Sequence, residues 1–500
     1  METLGSILNG FSIALHPVNL VFCFVGVFVG TLIGVLPGIG PLGAIALLLP
    51  STFYISPTSA LIMLAGIYYG AMYGGSTTSI LVNIPGEAAS VVTCIDGYQM
   101  AKQGRAGPAL GIAAFGSFIA GTISVILLSF LAPPLARLAL RFGPPEYFSL
   151  MVLGLTVLIY LANGPIVKAL MMAALGLVLG IVGTDLITGR ARFTFGIIEL
   201  NDGIGIIPVV MGLFGVSEVL FNVEKIMKRQ VTKTTISGLL PNLRDWKDSA
   251  GPIFRGTFLG FFLGILPGGG AVISSFASYA VEKKVSKHPE KFGTGAIEGV
   301  AGPESANNSA TGGSFIPLLT LGIPTNGVMA LMLGALVLHG LQPGPLLMRE
   351  HPEVFWGTVT SMYVGNVMLL VLNLPLIGLW VQVLKIPYPI LFPLILLFCL
   401  IGVFSVSNSV IEIWFMILFG ICGYLMKKFE YEMAPLVLAL ILGPMFENAL
   451  RQSLIIFDGN PLVFLTRPIS AGFLIASCLL LLTTLLPWMK GKRKLLSEGD

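Results

Sequence analysis

From Thr3 to Gly86 the chain carries no Asp, Glu, Lys or Arg, whereas a soluble sequence places a charge at about one position in four. A run of that length cannot form the surface of a water-soluble domain. Further charge-free stretches lie at 106–136, 147–167, 256–281, 305–348, 354–384, 386–411 and 468–489, and overall 55% of residues are hydrophobic and 10% charged. At about 20 apolar residues per spanning helix, these stretches and shorter ones between them accommodate about 11–13 hydrophobic segments. The expected fold class is an all-α polytopic membrane protein.

The polar remainder is small and uneven. Basic residues gather at Lys225, Lys228, Arg229 and Lys233, at Lys283, Lys284, Lys287 and Lys291, and at Lys490, Lys492, Arg493 and Lys494. Excess Lys and Arg beside spanning segments mark the cytoplasmic side. Nucleic acid is not an expected partner, because the clusters are short, flank membrane segments and lack interleaved aromatics. The five cysteines have no CxxC spacing and sit mostly in apolar runs, so they read as small core residues. The apolar stretch from Val18 follows no Lys or Arg, which makes it a first membrane segment rather than a signal peptide.

Self-comparison gives an internal repeat. Gly26, Gly30, Gly34, Leu36, Pro37, Gly38 and Gly40 recur as Gly256, Gly260, Gly264, Leu266, Pro267, Gly268 and Gly270, all at an offset of 230. Farther on, Gly74-Gly75-Ser76 and Ile84-Pro85 are echoed by Gly312-Gly313-Ser314 and Ile323-Pro324, with one residue's difference in spacing. The expected organisation is a first repeat half at 1–223, a basic cytoplasmic linker at 224–252, a second half at 253–489 and a basic cytoplasmic tail at 490–500. The second half starts from a basic loop and the first from residues whose only charge is Glu2, so the halves are expected to be inverted. Inverted repeats flanking a midplane site are common in secondary transporters; a parallel duplication is the alternative.

Residues 256–281 lie between two lysine- and arginine-rich loops, too short for two spans yet long enough for two half-length helices of about 18 Å. A re-entrant hairpin turning at Pro267-Gly268-Gly269-Gly270 is expected, with one long span as the alternative; Pro37-Gly38-Ile39-Gly40-Pro41 is the equivalent turn in the first half. Two polar stretches, 74–87 and 302–327, sit inside or beside charge-free runs. Unwound backbone at such depth is tolerated only where it is buried in protein or lines a wet cavity, so both halves point to a polar cavity formed by broken helices.

Such a cavity suits an organic anion and a small cation. Helix N-termini that follow a Gly/Pro break present free N–H groups to carboxylates, and freed carbonyls with Asn, Ser and Thr oxygens suit Na⁺. The candidate substrate-binding residues are Gly38, Gly40, Ser76, Thr77, Thr78, Ser79 and Asn83 in the first half. In the second half they are Gly268, Gly269, Gly270, Ser305, Asn307, Asn308, Ser309, Pro324, Thr325 and Asn326. For any single hydroxyl, helix packing is the plainer role, as it is for the GxxxG glycines. Glu87, Glu146, Asp185, Glu298, Glu304, Glu412 and Glu447 lie in or beside apolar runs, where an ionisable group is a functional suspect. Glu87 and Glu304 adjoin the polar motifs and, with Asn83, Asn307 and Asn308, form the candidate ion-coupling set.

The stretches GVLPGIGPLGAIALLLP, YGGSTTSILVNIPGEAASVVTCIDGYQMAKQGRAGPALGIAAFGSF, GILPGGGA and GPESANNSATGGSFIPLLTLGIPTNGVMALMLGAL resemble the large membrane subunit of the tripartite tricarboxylate transporters, the TctA type. The resemblance covers essentially the whole chain. It implies a permease of the bacterial inner membrane that receives a di- or tricarboxylate from a periplasmic solute-binding protein, works with a small four-span membrane subunit, and is driven by Na⁺ or H⁺ with no other cofactor. Where the family usually reads GIPG, this chain has Gly322-Ile323-Pro324-Thr325, and Ser309 follows ANN where Ala is common. Both departures bear on the substrate. A passive anion channel is the nearest rival; an intramembrane enzyme finds no HExxH, GxGD or GxSxG motif, and ATP drive finds no GxxxxGK[ST].

Overall fold

The structure, a computed structural model, describes residues 2–36, 40–161, 165–185, 187–224, 238–266, 268, 270–383 and 388–485. Gly38, Gly269, residues 225–237 of the basic linker and the C-terminal tail lie outside the described residues. The first half contains α1 (Glu2–Ala14), α2 (Pro17–Val35), α3 (Gly40–Thr52), α4 (Pro57–Val82), α5 (Val91–Lys102), α6 (Ala106–Ala139), α7 (Pro144–Leu161), α8 (Ile166–Gly180) and α9, a helix over 206–224 with a π turn in its middle. The second contains α10 (Leu243–Ile265), α11 (Gly270–Val285), α12 (Glu298–Leu321), α13 (Gly327–Leu338), α14 (Pro352–Asn373), α15 (Tyr388–Ser407), α16 (Val410–Lys428), α17 (Ala434–Ile456) and α18 (Pro468–Leu485). Among the described residues the only sheet pairs Gly183–Thr184 with Ala191–Arg192. Among the described residues, five helices are long and apolar enough to cross a membrane, and seven shorter apolar ones accompany them. The chain is a helical, multi-pass membrane protein.

Two helices form the centre. α4 is buried from Thr58 to Val82 and α12 from Gly299 to Thr320. A helix buried on every side has no polar face to turn outward, so the hydroxyls and amides of both must be satisfied inside the protein. α4 starts at Ser56, whose side chain accepts from Ser59 N at 3.2 Å, with Pro57 at its first position. It stops at Asn83 in the left-handed region (φ 56°) just before Ile84-Pro85, and α12 stops in the same way at Gly322 (φ 71°) before Ile323-Pro324. A residue preceding proline resists helical geometry, which makes both stops sharp.

The repeat is a packing repeat. A Cβ at Gly26, Gly30 or Gly34 of α2 would come within 3.0 Å of the backbone of Met63, Ile67 or Ala71 of α4. Gly256, Gly260 and Gly264 of α10 meet Gly302, Ala306 and Ala310 of α12 in the same way. The glycines thus let each pair of backbones touch, as small residues do between membrane helices. The reciprocal contacts are Gly74 on Thr31 and Gly313 on Phe261. Gly74 therefore corresponds to Gly313 rather than to Gly312, and Ser76–Ser79 correspond to Phe315–Leu318, not to the 305–309 cluster. The two polar clusters are complementary, not copies of each other. The halves also exchange partners, because α6 packs on α12 and α14 packs on α4.

The second LPGxG element is a hairpin, since Arg255 of α10 and Glu282 of α11 form an ion pair of 2.5 Å across it. Its first arm is longer than the expected half-length helix. α10 begins at a capping box in which Asn242 accepts from Asp245 N while Asp245 accepts from Asn242 N. With 23 residues it is about 34 Å long. The capping box and an amphipathic first stretch extend the helix beyond the charge-free run.

Candidate functional site

The residues singled out from sequence fall into three groups. In the first, Glu304 is fully buried on α12. Its Oε2 accepts from Ser76 Oγ of α4 at 2.5 Å and from Asn307 Nδ2 at 3.3 Å, and its Oε1 accepts from Thr93 Oγ1 of α5. Asn308 Nδ2 donates to Asn307 Oδ1 at 2.6 Å, to Ser117 Oγ of α6 at 2.8 Å and to the Glu304 carbonyl at 3.0 Å. The hydroxyl oxygens of Ser305 and Ser309 are buried without a hydrogen-bond partner. Four helices, three from the first half and one from the second, thus meet around one carboxylate.

The second group lies where the two breaks of the second half meet. Gly268, at φ 77°, donates its N–H to the Thr325 carbonyl at 2.6 Å. A β-carbon would be strained at that φ, so glycine is the residue this turn requires. Pro324 and Thr325 are buried. Asn326 caps α13 by accepting from Met329 N at 3.0 Å, and its Nδ2 donates to Tyr68 Oη of α4 at 3.1 Å. Gly270 opens α11. Here too α4 reaches across to the other half.

The third group is the corresponding place in the first half. Gly86 is pressed against the Gly34 carbonyl, and Glu87 caps the short helix Ala88–Ser90, its Oε2 accepting from Ala89 N at 2.6 Å. Glu87 Oε1 is buried without a partner. Gly40 opens α3, and Asn83 is an exposed cap residue. Two of the first-half hydroxyls go to backbone: Thr78 donates to the Val35 carbonyl and Ser79 to the Ser90 carbonyl, both at 2.9 Å. These two close helix ends instead of facing Glu304.

The remaining carboxylates sort themselves by partner. Glu146 pairs with Arg467, Asp185 with Arg451 and Glu447 with Arg192, all of them ties between elements outside the central site. Glu298 opens α12, and Glu412 sits in the first turn of α16. Among the described residues, three buried carboxylates have no basic partner: Glu87, Asp96 and Glu304. Asp96 is held by the N–H groups of Gly293, Gly295 and Ala296 and by Tyr279 Oη. Glu304 is held only by side-chain donors, which can rotate away, and that distinguishes a carboxylate able to change partners from one locked to backbone.

Sequence reading missed Thr93, Ser117, Tyr68 and Asp96. Thr93 and Asp96 stand within the quoted TCIDGYQMAKQGRAG stretch, three residues apart. That spacing places them close together on α5, but nothing in the sequence says that α12 and its preceding loop cover that face.

The tripartite tricarboxylate transporter TctA family matches residues 20–438 of the chain. An uncharacterized 52.8 kDa protein in the TAR-I ttuC' 3'region of Agrobacterium vitis is 53% identical over 501 residues, covering 100% of both chains. An uncharacterized protein in the TAR-II ttuC' 3'region of the same organism is 52% identical over 234 residues, 47% of this chain and 97% of its own length. No solved structure matches. A match over most of the length, on a helical membrane fold whose central helices carry the matched motifs, makes this chain a member of the tripartite tricarboxylate transporter TctA family.

Proposed function

We propose that the chain is the permease subunit of an ion-gradient-driven tripartite system of the bacterial inner membrane, importing di- or tricarboxylates by alternating access. The observation that carries this reading is Glu304, a buried carboxylate with no basic partner among the described residues, bonded to hydroxyl and amide donors from helices of both halves. A charge at that depth costs several kcal/mol, which marks an ionisable group there as a functional one by default. The breaks supply the anion side. The N-termini of α3, α11 and α13 follow Gly- and Pro-containing sequence, and such termini favour carboxylates.

The basic residues flanking the α10–α11 hairpin support a re-entrant element with both ends on the cytoplasmic face, and with it an inverted second half. Family membership supports a periplasmic solute-binding protein and a small four-span membrane subunit as partners. Glu87 and Glu304, with Asn83, Asn307 and Asn308, make up the proposed coupling set. Carboxylate substrate is assigned to the break residues and the neutral cluster, Ser76, Thr77, Ser305, Asn307, Asn308 and Ser309.

The test is uptake in proteoliposomes holding the complete complex and its binding protein, with Na⁺ and proton gradients imposed separately. One gradient is expected to drive accumulation. Asn307→Ala and Pro324→Ala are expected to lower uptake about tenfold or more, the equivalent of losing about 1.4 kcal/mol, with membrane insertion unchanged. Uptake indifferent to both gradients indicates a passive channel, and normal uptake with both substitutions present overturns the assigned site.

A further inference from the structure

Beside the Glu304 cluster lies a cavity of about 10 Å³, the lower limit for a single water molecule or a bare small ion. Its polar wall is formed by Tyr73, Ser76 and Thr77 of α4, Ser117 of α6 and Asn373 at the end of α14, and its apolar wall by α6. Two oxygens of this wall are orphaned: Tyr73 Oη and Asn373 Oδ1 have no hydrogen-bond partner, in side chains only 3% and 4% exposed. Buried polar atoms without partners are rare enough that each asks for a cause. Asn373 is held in place because its Nδ2 donates to the Leu369 carbonyl at 3.0 Å, which leaves Oδ1, the acceptor, as the free end. Ser76 directs its proton to Glu304 Oε2 at 2.5 Å, leaving oxygen lone pairs for the cavity. Ser117 Oγ likewise accepts from Asn308 at 2.8 Å.

We infer that this cavity binds a dehydrated monovalent cation of the size of Na⁺, with Tyr73 Oη, Ser76 Oγ, Thr77 Oγ1 and Asn373 Oδ1 as neutral oxygen ligands and Glu304 as the counter-charge one hydroxyl away. The donor set suits that charge. A divalent cation asks for several carboxylate ligands, and the polar wall here is neutral; a monovalent ion held by neutral oxygens stays exchangeable. Ser76 also couples the two sites, because a cation drawing on its lone pairs strengthens the hydrogen bond it gives to Glu304. Asn373 brings the second half into contact with α4 and α6, so the site is complete only when the halves are packed as they are here. The binding site stands on its geometry; its role as the coupling site rests on the transport reading above.

The experiment uses the purified full-length chain, with ²²Na⁺ equilibrium binding and thermal unfolding measured in sodium, potassium and choline chloride at equal ionic strength. Sodium is expected to raise the unfolding temperature saturably where choline does not, and Tyr73→Phe and Asn373→Leu to weaken sodium binding about tenfold or more. Tyr73→Phe removes one oxygen and no volume, so it carries the test if Asn373→Leu fails to fold. Identical unfolding in the three salts, or sodium binding unchanged in Tyr73→Phe, overturns the proposal and leaves a single water as the occupant. Sodium binding with uptake indifferent to both the sodium and the proton gradient leaves this site standing and overturns the transport reading; sodium-driven uptake unaffected by Tyr73→Phe overturns the site alone.

Discussion

Glycine in this protein acts mainly through the hydrogen it presents to a neighbouring backbone. In an ordinary exposed helix, replacing glycine with alanine stabilises by about 0.5–1 kcal/mol because the unfolded chain loses freedom. At Gly260 the sign reverses, since the new methyl would lie within 3.0 Å of the Ala306 carbonyl group and its Cα, and overpacking of a rigid interface costs about 1–3 kcal/mol. Gly260→Ala is therefore expected to lower the unfolding temperature of the purified protein, and Gly5→Ala, where no atom lies within 4 Å, to leave it unchanged or raise it. Equal behaviour of the two would show that α10 and α12 are not in backbone contact.

Among the elements, α5 does the joining. Asp96 accepts three backbone N–H groups from the loop before α12, Gln103 donates to the Thr294 carbonyl at 2.7 Å, and Arg105, beside it in sequence, pairs with Asp245 of α10 at 2.5 Å. This short helix and the turn after it thereby fix both flanks of the α10–α12 unit. Asp96→Ala orphans three N–H groups, at about 1–3 kcal/mol for each one that water does not reach. It is expected to destabilise the protein and to open the 286–297 loop to proteolysis. Asp96→Asn retains one acceptor oxygen and is expected to fall between Ala and wild type; a ranking with Asn at or below Ala would show that the carboxylate does not organise this loop.

For the whole molecule, the telling feature is exchange between halves, with α6 on α12, α14 on α4 and α5 tied to the loop before α12. If transport moves one half against the other, contacts of this kind must separate in part of the cycle. Cysteines placed at Gln103 and Thr294 and joined by a short bis-maleimide are expected to reduce uptake to a few per cent, with recovery when a cleavable linker is cut. Full uptake with the linker closed would mean that this seam does not open, and that access alternates by another motion.

How much of this was legible from residues depends on the range of the interaction. The charge-free run from Thr3 to Gly86, the 230-residue repeat and the Pro-Gly breaks set the environment, the two halves and the ends of α2, α4, α10 and α12, because bilayer depth and backbone geometry act locally. The motif resemblance identified the family for the same reason. The register between the halves was only partly legible: Gly312-Gly313-Ser314 looks like the echo of Gly74-Gly75-Ser76 at an offset of 238 and Ile323-Pro324 that of Ile84-Pro85 at 239, and the contacts of Gly74 with Thr31 and of Gly313 with Phe261 settle it at 239. Nor could sequence tell Thr78, which closes a helix end, from Ser76, which bonds Glu304 at 2.5 Å. The two lie two residues apart, on opposite faces of the same helix, and their roles depend on which neighbour packs beside each. By itself the sequence determined that this chain is a helical membrane protein whose LPGxG and glycine motifs recur at an offset of 230. Which carboxylate stands at the crossing, and that Tyr73 and Asn373, 300 residues apart, share one cavity with it nearby, was decided by tertiary packing, because only packing brings distant oxygens within reach of the same small space.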